Sequence, residues 1–221
     1  MEAQRAEEES IAQVRDLDEK SRLWQCRQAY LAIHQPVLQQ AAQLEQQELK
    51  RLSAALSPFD SKTANLQDLL SFFRFAGVTE AAEAIARAPQ PFQMETMAYL
   101  GERTWLALGV SNLICRKQAM DALSRLLSGA FFDEEHIENC PVCNAGTVEE
   151  GVDLLDEYGV KEEEVKSKVL CLGIKVCTLL HFSEEDLETA LAVSPMSADK
   201  VKVILKILKK RHHQVASIKE K

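Results

Sequence analysis

The sequence concentrates its chemistry in one short stretch, His136-x3-Cys140-Pro141-Val142-Cys143. Two cysteines spaced by two residues on a turn can present a pair of thiolates to zinc, and the nearby histidine offers a third donor. A structural zinc site takes four donors, and no second Cys-x-x-Cys stands at ligand spacing. Cys171, Cys177 and His181 could contribute only if the distal part of the chain folded back. The expectation is therefore no cofactor. The stretch reads as a proline turn with two reduced cysteines, and zinc on His136, Cys140 and Cys143 is the alternative. A thioredoxin-like redox site would need a surrounding βαβ pattern, and none is visible. Cys26, Cys115, Cys171 and Cys177 lie among apolar residues and read as buried small hydrophobes. His34, His212 and His213 read as surface residues, the last two at the frayed end of a final helix. Trp105 reads as core, and Trp24 as an anchor of the N-terminal segment.

No enzyme is expected. The chain lacks a G-x-x-x-x-G-K-[ST] phosphate loop, G-x-G-x-x-G after a strand, H-E-x-x-H and G-x-S-x-G. A net charge of −8 over 221 residues disfavours wholesale binding to nucleic acid or to an anionic membrane. Met1 is followed by Glu2, Arg5 and glutamates rather than by an apolar stretch, so no signal peptide is expected. No apolar run approaches the roughly 20 residues that cross a bilayer. These features predict a cytoplasmic protein whose cysteines stay reduced.

The elements that must position these residues read as helices throughout. Leu, Ala, Glu, Gln and Lys dominate, and glycine and proline are sparse. Residues 1–57 form an N-terminal helical or coiled-coil segment. Ile11, Val14, Leu17, Trp24, Leu31, Leu38, Leu49, Leu52 and Leu56 recur at helical steps, while Leu44 falls off the stripe. Ser21 and Gln28 interrupt the heptads. The segment must dimerise, fold back near Pro36 into a hairpin, or pack on the helices C-terminal to it. Ser57 to Lys62 is a break with turn formers. Short helices divided by Gly77, Pro89-Gln90-Pro91 and Gly101 come next, then a longer one over 112–127 with Gly129 as its C-terminal cap. Residues 130–146 read as an irregular bridge. A second helical block covers 147–213, with Val201, Ile204, Leu205 and Leu208 sharing one side of its last helix, and 214–221 is a tail.

The two blocks repeat each other. Gly101 to Val110 and Ser183 to Val193 are each a short capped helix ending in a small residue and a valine. Each leads into a long basic and apolar helix, beginning near Arg116-Lys117 and near Lys200-Val201. Leu108-Gly109-Val110 with Cys115-Arg116-Lys117, and His181 to Leu187, resemble the signature runs of the sterile alpha motif (SAM) domain over 64–129 and 147–213. The departures are Arg103-Thr104 in place of an acidic pair, Ala192 in place of a glycine, and the Leu170 to Gly173 stretch. The resemblance implies two SAM-like five-helix bundles, an all-α fold, and binding to other helical domains without catalysis.

SAM-like domains commonly pair an acidic surface of one copy with the start of the final helix of the next. That implies partner-binding roles for Glu184, Glu185 and Asp186 on one face and for Lys200, Lys202 and Lys206 on the other. Such a head-to-tail contact can propagate. The expected function is an adaptor or scaffold that binds SAM-like or helical proteins and forms homo-oligomers, with no membrane partner. The rival is an RNA hairpin read by the basic last helix, which the acidic remainder of the block argues against.

Overall fold

The structure, a computed structural model, describes residues 21, 22, 24, 35–88 and 94–217. Among them all regular structure is helical, so the fold is all-α. The chain divides into two units, Met1–Arg51 and Leu52–Lys221. Helix α1 covers 35–56 and begins in the first unit, where Glu48 and Arg51 pair at 2.7 Å across one turn. Val37, Leu38 and Leu44 are exposed on it, and Trp24 is exposed upstream. Pro36 lies within the described helix. A hairpin near it would fall on 25–34, outside the described residues, as do Cys26 and His34.

The second unit contains two hydrophobic cores. The first is built by Leu52 and Leu56 with α2 (Leu66–Phe75), α3 (Thr79–Ala86), a 3-10 turn (Met94–Tyr99), α4 (Glu102–Ala107) and α5 (Leu113–Leu127). Asn65 opens α2 by accepting the Asp68 N–H at 2.9 Å. Helix α2 then buries Leu69, Leu70, Phe72 and Phe73 at helical spacing. Asn112 opens α5 by accepting the Ile114 N–H at 2.8 Å. Trp105 is fully buried, as its apolar position predicts, and meets Phe73 edge to face at 5.6 Å. Such a pair adds about 0.5–1.5 kcal/mol beyond its buried area.

The second core is built by α6 (Glu134–Asn139), α7 (Pro141–Asn144), α8 (Val148–Glu157), α9 (Glu163–Cys171), α10 (Val176–Leu179), α11 (Glu184–Leu191) and α12 (Pro195–Ser217). Reciprocal capping boxes, Thr147 with Glu150 and Ser183 with Asp186, start α8 and α11. Val201, Ile204, Leu205 and Leu208 of α12 are all buried, matching their periodicity. The bridge over 130–146 is not irregular. Asp133 caps α6 by accepting the His136 N–H at 3.1 Å, and Pro141 sits in the first turn of α7, where its missing N–H costs nothing. Helices of six and four residues are too short to show a period.

The internal repeat recurs in the backbone. Gly109 and Ala192 occupy equivalent turns, and both are left-handed, at φ 96° and 50°. Each is followed by a buried valine, Val110 or Val193. A capping side chain comes next, Asn112 before α5 and Ser194, which accepts the Ser197 N–H at 3.2 Å, before α12.

The two cores pack against each other through α5. Ile114 leans on the second core, and Lys117, only 3% exposed, reaches Asp186 at 2.7 Å and Glu102 at 2.5 Å. One turn on, the buried Asp121 faces His181 at 3.7 Å and Arg125 at 3.4 Å. Burial pushes the Asp121 carboxyl up, but the adjacent His181 imidazole and the Arg125 guanidinium outweigh it, so its pKa lies below the ordinary value.

Candidate metal centre

Three elements bring four donor side chains together. His136 lies on α6, and Cys140 follows one turn later as the N-cap of α7. The sulfurs of Cys140 and Cys143 lie one helical turn apart in sequence, so both thiols face the same side. His212 arrives on α12, 72 residues after Cys140. Its Nδ1 lies 3.2 Å from the Cys140 sulfur and 3.6 Å from the Cys143 sulfur. The Cys143 sulfur is 3.5 Å from His136 Nε2. All four donor atoms lie within 4.8 Å of one another. The two imidazoles stand edge to face, with centroids 5.3 Å apart.

His136, Cys140 and Cys143 are buried, and His212 is half-buried. The sequence reading of His212 as a surface residue is corrected here. Residue 212 continues the Val201–Leu205–Leu208 stripe by one further step of four, and the helix carries it onto the bridge. The Cys140 thiol is pulled down to about 4 by hydrogen bonding to Cys143, against the opposing effect of burial and with help from His212. The Cys143 thiol is pushed up by that same hydrogen bond and by burial. The Arg125 guanidinium stacks on Phe131 at 4.8 Å.

Of the alternative donors weighed from sequence, none joins this cluster. Cys177 is buried beside Asp121 with its thiol pushed up to about 12, chiefly by burial, and His181 faces Asp121. Cys171 is exposed and Cys115 partly so, which corrects their reading as buried residues.

The six charged residues expected on two opposing faces do not form two faces. Glu184 pairs with Lys202, and Lys200 reaches Glu162 at 2.7 Å. Asp186 turns inward onto Lys117. Glu185 and Lys206 are exposed. The reason is tertiary, because α11 packs directly against α12 and brings acidic and basic helices side by side.

No described helix is long and apolar enough to cross a membrane. No family model matches this chain, and no match was found among curated proteins or solved structures.

Proposed function

We propose that this chain is a non-enzymatic adaptor, built of two SAM-like bundles and a leading helix, that associates with helical proteins, including second copies of itself. The observation that carries this reading is a second apolar stripe on α12. The helix commits Val201, Ile204, Leu205 and Leu208 to the core, yet Met196, Val203 and Ile207 are 72%, 57% and 46% exposed. Steps of seven and four put these three on one line, opposite the buried stripe. Lys200 and Lys210 flank that line and are exposed. Exposed apolar groups rimmed by charge are the signature of a partner surface. The flanking Lys210 suits a helix that carries acidic residues beside its apolar face.

The test is the joint substitution Val203→Asp and Ile207→Asp in the full chain. The wild type is expected to show a mass above that of one chain by light scattering, and the variant a reduced mass with unchanged helical circular dichroism. A monomeric wild type, or a variant with undiminished mass, removes self-association through α12.

A further inference from the structure

We propose that His136, Cys140, Cys143 and His212 form a structural zinc site that fastens the end of α12 to α6 and α7. Geometry is the first support. A tetrahedral zinc with bonds of about 2.3 Å to sulfur and about 2.0 Å to nitrogen imposes sulfur–nitrogen edges of about 3.5 Å. The three closest sulfur–nitrogen separations here are 3.2, 3.5 and 3.6 Å, and they join both sulfurs to His212 and Cys143 to His136. The convergence requires the placement of α12, 69 residues away in sequence from Cys143, to agree with that of α6 and α7. A redox Cys-x-x-Cys pair would need neither histidine.

Charge is the second support. Two thiolates and two neutral imidazoles cancel the +2 of the ion, leaving a neutral centre where three of the four ligands are buried. On binding, the thiol protons leave to solvent, both sulfurs become thiolates, and no electron moves. The donor set selects the metal class. Thiolate and imidazole suit zinc and disfavour the oxygen-seeking calcium and magnesium. All four positions of the tetrahedron come from the protein, so the site is closed and structural rather than catalytic.

The consequence is a fastening. Among the described side chains of α12, the last hydrophobic one in the core is Leu208, and His212 lies one turn beyond it. Zinc would extend the anchored length of α12 by that turn and lock the bridge helices, which are too short to hold themselves. This inference stands whether or not α12 also binds a partner.

The experiment uses the full chain, purified under reducing conditions without chelator. Elemental analysis is expected to give about one zinc per chain. Cobalt substitution is expected to give the intense visible bands of a tetrahedral ion with thiolate charge transfer. The joint change Cys140→Ser and Cys143→Ser should abolish uptake. His212→Ala should weaken zinc by more than about 100-fold in competition with a chromophoric chelator, exceeding the loss usual for a supporting residue. Should the serine variant fail to fold, the wild type alone decides, because chelation must then lower its melting temperature and zinc restore it. Failure of the reduced wild type to take up zinc, an octahedral cobalt spectrum, or His212→Ala binding as tightly as wild type would each overturn the site.

Discussion

Replacing Lys117 with methionine tests whether the two cores are held together by the charge between them. The Lys117 ammonium is 3% exposed and lies 2.7 Å from Asp186 and 2.5 Å from Glu102. At 2.7 Å and an effective dielectric of about 20, the attraction to Asp186 alone is about 6 kcal/mol. Withdrawing the ammonium from water costs several kcal/mol, so the net value of the pair is far smaller than its gross attraction. Removing one partner is different, because it strands the other. Asp186 is 14% exposed and would keep the Ser183 N–H but lose its cation, whereas Glu102, at 35%, can turn to water. Methionine keeps the apolar stem that packs near Phe182. The expected loss is about 2–4 kcal/mol. The assay is urea unfolding of the wild type, Lys117→Met, Asp186→Asn and the double variant. The double-mutant cycle isolates a coupling expected at about 1.5–3 kcal/mol. A single-variant loss under about 0.5 kcal/mol, or a coupling indistinguishable from zero, would refute the idea that this contact joins the cores.

Two smaller predictions concern the same unit. Ala192 holds a left-handed backbone at φ 50°, which costs an L-residue about 1 kcal/mol. Ala192→Gly should therefore stabilise the protein by about 0.5–1 kcal/mol in urea unfolding, and a loss of stability would contradict that backbone conformation. Asp121→Asn should cost about 2–3 kcal/mol near neutral pH, because it leaves Arg125 and His181 facing an uncharged group. The Asp121 carboxyl titrates below its unfolded value of about 3.9, so its contribution is full above that value and fades as pH falls through the folded one. The stability gap between wild type and variant should therefore narrow below about pH 4, and a gap equal at about pH 3 and about pH 7 would disprove the charge-based account.

Much of the fold was legible because helical periodicity is a local property. The stripe Val201, Ile204, Leu205 and Leu208 was written in its spacing, and all four residues are buried. Trp105 was legible for the same reason. The bridge was not, because α6 and α7 are each shorter than two full turns and depend on Asp133 and Pro141 rather than on amphipathicity. The pairings of the charged residues within the chain were not legible because their partners are tertiary. Nothing in the spacing of Glu184 and Lys202 reveals that α11 and α12 lie side by side. Cys171 closes α9 beyond its buried Val165 and Val169, so apolar sequence neighbours did not translate into burial.

The metal centre divides at the same boundary between local and tertiary information. His136, Cys140 and Cys143 are close in sequence, and their spacing alone points to a partial ligand set. The fourth donor could not come from a spacing rule, because 69 residues separate it from Cys143. It could come from a helical-face argument. Residues 201, 205, 208 and 212 climb one side of α12 in steps of four, three and four, so burying the first three commits the fourth to the same side. A histidine there must either face water past the end of the core or meet a partner that wants an imidazole. The bridge supplies that partner as two buried sulfurs. Its half-buried state fits that placement, with the Nδ1 edge turned to the sulfurs. The site and the second apolar stripe of α12 then divide one helix between them. One side faces its own protein through the core and the four-donor cluster, and the other leaves Met196, Val203 and Ile207 exposed.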